Sequence, residues 1–519
     1  MKQFLKSTIV VSVGTLLARI TGFIRDIFLA KYLGSGFYSD VFFIAFRIPN
    51  FFRRIFAEGA LSSAFVPIFA SGVELHGKKK MMVFARNIYS ILLYVLLILT
   101  LLAEIGMPFL MYVMAPGYLN DKAKFDLVVV LTRITFPYLI FISLTSLMSG
   151  ILNSFNKFFV VSVVPVVLNC VFLTAVLFFG TTDKLEMARM LSYTVFCAGL
   201  VQFSWILFFT LRQKAFLYPV FPKITPTAKE FFSKFFNAFL GSGIVQINSM
   251  ISSIVATLIP SAVSLLYYAD RVSQFPLSLI GTAIGISTLP VLAQTMGKKG
   301  DKAKAQEIQE DSIFFACFLG IPASVGLFVL STPIVRLLFQ RGQFTAENTL
   351  QVASILRIYA LALPFFILTK IFQTIFYAKK DTKTPMKASL YSLIINVVFN
   401  FSLVFLLGAN GIAISTIISS IFVAGILFRK LLKEKIFSFS DVLQTKLLKI
   451  LYISIIMGIV VYSVDTFIIK YISSAIIEIG LSISVGGLVF LILAYIFGVF
   501  EIDEILNLLG KKKNKTILP

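Results

Sequence analysis

Arginine is out of place in a stretch apolar enough to lie in a membrane, yet FRIPNFFRRIFAEGALSSAFVPIF (46–69) carries Arg47, Arg53 and Arg54, with Glu58 as its acid. Arg19, Arg25, Arg133, Arg271, Arg357 and Lys370 stand in other apolar runs. The acids in such runs are fewer: Asp26, Asp40, Glu104, Asp270 and, near their ends, Asp311 and Asp465. A charge at mid-bilayer costs about 2.5–3.5 kcal/mol on insertion scales, so these groups must line water or pair with one another. Their net sign is positive. The planar guanidinium makes bidentate, charge-assisted hydrogen bonds to phosphate. A wet, basic cleft inside a membrane therefore calls for an anionic substrate, a phosphate or diphosphate foremost.

Spacing sorts the candidates. Arg19, Gly22 and Arg25 or Asp26 recur at helical intervals. Asp40, Arg47 and Arg54 fall seven apart and form one stripe, whereas Arg53 lies about 100° round from Arg54. Glu58 follows Arg54 by four residues and can pair with it. Pairing and snorkelling compete with a substrate role at every site, at Arg54 and Arg133 above all. For Arg19, Arg25, Arg53 and Arg271 the acids are too few to neutralise all, which favours substrate. Arg47 stays undecided between the two roles. The Pro49-Asn50 pair is expected to bend its span.

The elements that must hold these residues are membrane helices. The chain of 519 residues is 58% hydrophobic and 14% charged, with a mean hydropathy of +0.93, where soluble domains average about 25% charged residues. Apolar runs of roughly 20 residues recur along its whole length, as helical spans require, and not the shorter alternating runs of a barrel. We expect an all-α integral membrane protein with about fourteen spans. The net charge of +23 reads as a topology signal and not as nucleic-acid binding, because the lysines cluster in alternate loops. These include Lys78, Lys79 and Lys80, then Lys214, Lys223 and Lys229, then Lys298 to Lys304, Lys379 to Lys387, and the tail. By the positive-inside rule both termini are cytoplasmic. The N-terminal MKQFLKSTIVVSVG reads as a first span and not as a cleaved signal, since the apolar run continues past Arg19.

Cys170, Cys197 and Cys317 lie far apart in apolar runs and imply no disulfide framework. With His76 as the only histidine, a zinc site is not expected. Asn396 and Asn400 share a helical face, and Thr416 could lie opposite. These neutral oxygens suit either a coupling cation such as Na+ or H+, or hydrogen bonds between helices.

The halves repeat. TFPYLIF…VPVVLN sets Pro137 and Asn169 over Pro364 and Asn396 of ALPFFIL…LYSLIIN, and ALSSAFVPIFA falls over AIGISTLPVLA. The offset is about 223 to 227 residues, an even number of spans, so the repeat is parallel. It divides the chain into a first six-helix lobe (1–217), a second (218–436), and an appended hairpin with a basic tail (437–519). Asp270-Arg271 then takes the place of the Asp40–Arg54 stripe. If the lobes face each other, their arginines converge on a transporter cleft.

The blocks LLARITGFIRDIFLAKYLGSGFYSDVFFIAFRIPNFFRRIFAEGALSSAFVPIF (16–69), YYADRVSQFPLSLIGTAIGISTLPVL (267–292) and FYAKKDTKTPMK (376–387) resemble the MurJ/MviN family of lipid II flippases, in the MOP exporter superfamily. The resemblance runs over essentially the whole chain. It implies two six-helix lobes around a cationic cavity and a groove beside the last two spans for the undecaprenyl tail. It also implies that Arg19, Arg25, Arg53 and Arg271 bind the anionic headgroup and that Asp40, a functionally sensitive acid, belongs with them at the substrate site. Asp26, Arg47, Arg54, Glu58, Asp270 and Lys370 would support or pair with them. Gln274 departs from the pattern, standing where some members carry Glu.

The expected function is transport of lipid II to the outer leaflet of the bacterial inner membrane for peptidoglycan synthesis, by alternating access, with a monomer sufficient. No enzyme activity or cofactor is expected. No G-x-x-x-x-G-K-[ST] loop for ATP is present, so membrane potential or a cation gradient would drive the return. Rivals are another polyprenyl-diphosphate oligosaccharide flippase, a multidrug–cation antiporter, whose cleft should be acidic, and a polyprenyl-phosphate enzyme, which needs clustered acids this sequence does not show.

Overall fold

A computed structural model of the chain describes residues 2–55, 61–296, 301–468 and 474–500. Their regular structure is helical, with no strand among the described residues. Ten of the described helices are long and apolar enough to cross a membrane, and Val164–Phe179 is a shorter apolar one.

The chain divides into two compact units. The first comprises residues 1–268 with two later segments, 339–348 and 397–412. It holds α1 (Lys2–Leu33), α2 (Phe37–Ile55), α3 (Leu61–Ile105), α4 (Met107–Met114), α5 (Lys122–Thr135) and α6 (Tyr138–Ser154). There follow α7 (Phe158–Ser162), α8 (Val164–Phe179), α9 (Lys184–Arg212) and α10 (Pro226–Ala256). Residues 56–60, with Glu58, lie between α2 and α3 in the chain and outside the described set. Within α3 the helical path breaks at Gly77 (φ 79°, ψ 156°), in the basic loop read from the sequence. That left-handed φ favours glycine. It turns the chain so that Gly72 meets Met81, whose Sδ leaves no room for a Cβ at position 72.

Proline did not end α2. Pro49 sits inside the helix and cannot donate to the carbonyl four residues back. That oxygen, on Ala45, accepts instead from Thr135 Oγ1 of α5 at 2.9 Å. The linker after α9 is fixed in the same spirit. Asn87 of α3 donates to the Lys223 carbonyl at 2.6 Å and accepts from its N–H at 2.7 Å. Arg86 donates to the Phe216 carbonyl and the Tyr218 hydroxyl, each at 2.8 Å. Beyond this linker, Phe231 and Ala228 of α10 join Phe65, Phe69, Phe84 and Leu147 in one apolar cluster. α10 is thereby part of the first unit.

The second unit comprises residues 269–338, 349–396 and 413 onward. It holds most of α11 (Ala262–Thr295), α12 (Lys302–Val329), α13 (Ser331–Phe339), α14 (Ala346–Ala378), α15 (Lys383–Leu407), α16 (Ala409–Lys433), α17 (Asp441–Ile468) and α18 (Ala475–Ile496). Its core joins Cys317, Ile367, Ile371, Leu427, Ile453 and Phe490. Pro364 lies inside α14 as Pro49 lies inside α2. The oxygen it leaves without a helical donor, on Ala360, accepts from Ser324 Oγ of α12 at 2.6 Å.

Candidate functional site

Within the first unit, α1 carries Arg19 exposed and Arg25 and Asp26 buried. Arg25 donates through Nη2 and Nε to Asp26 Oδ1 at 2.8 and 3.0 Å, and through Nη1 to Asn169 Oδ1 of α8 at 3.1 Å. Tyr267 of α11 completes the cluster, its hydroxyl donating to Asp26 Oδ1 at 2.8 Å and accepting from Arg25 at 3.3 Å. The Asn169 amide nitrogen in turn donates to the Ala18 carbonyl and Thr21 Oγ1, both at 3.0 Å. This is a paired, buried charge. Its guanidinium is offset by Asp26 and oriented from three helices.

The stripe on α2 meets a different set of partners. Asp40, fully buried, accepts from the Ser264 N–H at 2.9 Å and the Ser264 hydroxyl at 2.7 Å, in the first turn of α11. A carboxylate suits that helix start, where backbone N–H groups lack helical partners. Lys124 approaches from α5, its Nζ 3.3 Å from Asp40 Oδ2 and 4.2 Å above the Tyr118 ring. Arg47 donates to the carbonyl and hydroxyl of Ser249 on α10 at 2.6 and 2.7 Å, and Arg54 reaches Gln246 Oε1 at 3.4 Å. The seven-residue stripe is therefore the seam along which α2 packs on α10 and on the start of α11. Arg53, 100° round from it, donates to Asn50 Oδ1 of its own helix at 2.8 Å.

In the second unit Asp270 and Arg271 are half-buried on α11, and Asp270 accepts from Gln274 at 3.2 Å. Gln274 thus serves as an uncharged donor to the neighbouring acid. Lys370 of α14 lays its stem on Gly281, where a Cβ would stand 3.2 Å from Lys370 Cδ. Of the candidate cation ligands, Asn396 and Thr416, in the second unit, are buried and half-buried, and Asn400, in the first unit, is buried. The Asn396 carbonyl accepts from Ser415 Oγ at 2.9 Å, and Asn400 Nδ2 donates to Ser252 Oγ of α10 at 3.2 Å. Among the described residues no group of three His, Cys, Asp or Glu is placed to hold a metal ion.

Comparison with known proteins places this arrangement. A family model described as lipid II flippase MurJ matches residues 29–482. The chain belongs to the MurJ family. A Rickettsia prowazekii (strain Madrid E) protein, probable lipid II flippase MurJ, is 36% identical over 503 residues, covering 97% of this chain and 98% of the relative. A Rhizobium tropici protein of the same description is 41% identical over 418 residues, covering 80% and 78%. A solved lipid II flippase MurJ in an inward closed conformation matches with a TM-score of 0.78 at 26% identity, covering 94% of this chain and 99% of that one. An inward-facing multidrug resistance MATE family transporter of the MOP superfamily matches with a TM-score of 0.64 at 14% identity, covering 83% and 98%. That likeness shows a shared fold. The chain is a multi-pass membrane protein of a transporter family, not of an enzyme family.

Two partnerships in this MurJ-family chain escaped its sequence. Lys124, in the first turn of α5, is buried against Asp40, and nothing in its spacing signals that. Arg336 of α13 and Glu478 of α18 form an ion pair in which Arg336 Nη2 donates to both carboxylate oxygens, at 2.5 and 2.7 Å, with Glu478 2% exposed. Here a signal was available, since Glu478 stands four residues into the otherwise apolar AIIEIGLSISVGGLVFLILAYI.

Proposed function

We propose that this protein flips lipid II, the undecaprenyl-diphosphate-linked precursor of peptidoglycan, from the cytoplasmic to the outer leaflet of the bacterial inner membrane. The observation that carries the reading is the family match across residues 29–482. Net-positive charge within apolar helices suits the diphosphate. Arg19, Arg53 and Arg271 bind the headgroup, and Arg25 joins them from its pair with Asp26. Arg53 is the strongest candidate of α2, because Arg47 and Arg54 are engaged along the α10 seam. Asp40 belongs with them at the substrate site, Asp270 positions its helix, and Lys370 adds positive charge from α14. The chain crosses the membrane fourteen times with both termini cytoplasmic, and the lobes 1–217 and 218–436 alternate access while the 437–519 hairpin receives the lipid tail. Membrane potential or a cation, held by Asn396, Asn400 and Thr416, resets the cycle.

The test is complementation of a flippase-depleted bacterium, with lipid II read at the outer leaflet. Wild type restores accessible lipid II. Arg53→Ala and Arg271→Ala reach the membrane folded and restore at most about a hundredth of it, as loss of charge-assisted contacts of about 3 kcal/mol implies. Full restoration by both variants would end the arginine mechanism. Unchanged lipid II accessibility on supplying wild type would point to another lipid-linked sugar.

A further inference from the structure

We propose that the linker between α9 and α10, residues 213–225, is a membrane anchor that lays Phe221 and Ile224 into the acyl boundary of a leaflet and sets its lysines against anionic lipid headgroups. The linker is a strap held by α3. Lys78 Nζ donates to the Gln213 carbonyl at 2.7 Å, and Ser90 Oγ accepts from the Val220 N–H at 2.8 Å. Asn87 holds both backbone groups of Lys223, and Arg86 reaches the Phe216 carbonyl and the Tyr218 hydroxyl. These side chains fix a segment that has no regular structure of its own, and Pro219 and Pro222 stiffen it. Successive side chains of an extended chain point to opposite sides. On the inner side Ala215 is buried, and Leu217 is half-buried, in the cluster of Phe65, Phe69 and Phe231. Phe216 and Tyr218 are exposed. Phe221 and Ile224, 85% and 86% exposed, are barer than any other large apolar side chain among the described residues. A linker lying in water would be polar on that outer side. Large apolar side chains grouped there mark a binding surface.

The depth of the strap selects the partner. The apolar run ILLYVLLILTLL of α3 begins at Ile91, directly after Ser90, so Val220 and Phe221 stand where hydrocarbon starts. Asn87, which holds Lys223, lies about 4.5 Å further back along the helix, and the basic Lys78 to Lys80 lie further back still. An apolar tip toward the hydrocarbon, with lysines toward water, is the order of a lipid surface. A soluble partner would not impose it. Lys214, Lys223 and Lys229 are exposed, and residues 213–229 contain no acid. Juxtamembrane lysines of this kind attract anionic lipid, and aromatic side chains settle at the headgroup level. The inference requires that α3 span the membrane and is independent of the transport reading.

A single indole in the strap tests it. Trp205 is the only tryptophan, so Trp205→Phe combined with Phe221→Trp places one indole at the tip of the full-length protein. The protein is set in nanodiscs of phosphatidylcholine with increasing phosphatidylglycerol, the acyl chains brominated either near the glycerol end or near the methyl end. Bromine near the glycerol end should quench the indole, and bromine near the methyl end should leave it bright. Quenching should deepen as phosphatidylglycerol rises. Adding Lys214→Gln, Lys223→Gln and Lys229→Gln should remove that dependence. An indole that neither bromine quenches, whether open to water or shielded by a protein partner or a second copy, overturns the proposal. Quenching that ignores phosphatidylglycerol overturns it equally, because the lysines then meet no anionic lipid. If Trp205→Phe fails to fold, Phe221→Trp alone, read as a difference from wild type, gives the same measurement.

Discussion

The hydroxyl of Thr135 stands 2.9 Å from the Ala45 carbonyl oxygen, which Pro49 deprives of its helical donor. The second unit repeats the device with Ser324, Ala360 and Pro364 at 2.6 Å. In hydrocarbon no water can take up such an oxygen, so a proline is tolerated where a neighbouring helix supplies a hydroxyl. A bend signalled by Pro-Asn is thus also a docking point between helices.

Thr135→Val keeps the shape of the side chain and removes the donor. It should cost about 1–3 kcal/mol, the penalty of an unsatisfied buried carbonyl. In a Pro49→Ala background the same change should cost almost nothing, since alanine at that position restores the backbone N–H. Unfolding of the four purified proteins gives the coupling. An equal loss in both backgrounds would show that the hydroxyl does not answer the proline.

Arg25 and Arg19 should separate in stability as they do in burial. Arg25→Ala leaves Asp26 buried without its cation and should destabilise the protein by about 3–5 kcal/mol. Arg19→Ala, on an exposed position, should stay within about 0.5 kcal/mol. Thermal unfolding in detergent checks both, and an Arg25→Ala protein as stable as wild type would discredit the buried pair.

Asp381, in the loop between α14 and α15, provides a pH handle. Burial pushes its carboxyl up, but hydrogen bonds from the Thr384 hydroxyl and N–H, at 2.5 and 3.0 Å, and the charge of Lys430 outweigh this and hold it below the usual carboxylate value. Lys430 also donates to Thr384 Oγ1 at 2.6 Å. A depressed carboxyl contributes stability that is full above its ordinary value and is lost as pH falls through the lowered one. Asp381→Asn should therefore fall below wild type at neutral pH, by a gap that narrows as pH falls. Comparing melting at about pH 3 and about pH 7 decides it, and a constant gap would contradict the assignment.

Much of this was legible in the residues themselves. Mean hydropathy and run length dictate membrane helices, because apolar surface and unpaired backbone admit few other solutions in lipid. The seven-residue spacing of Asp40, Arg47 and Arg54 places them on one face, because an α-helix repeats at that interval. The loop at Gly77 follows from the basic run beside it. Family membership was carried by contiguous motifs such as YYADRVSQFPLSLIG, which need no tertiary information to be read.

What that face meets was decided only in three dimensions. Spacing gives a side chain its direction and not its partner, so Arg47 acquired Ser249 and Arg54 acquired Gln246 only when α10 packed on α2. Lys124 and Asp40 are 84 residues apart, as are many pairs that never touch. Arg336 and Glu478 are 142 apart. A buried ion pair forms where the packing of apolar faces removes both charges from water together, and that packing depends on the shapes of whole helices. The sequence alone determined that charges would be carried into the membrane, and the tertiary structure decided which of them answer each other.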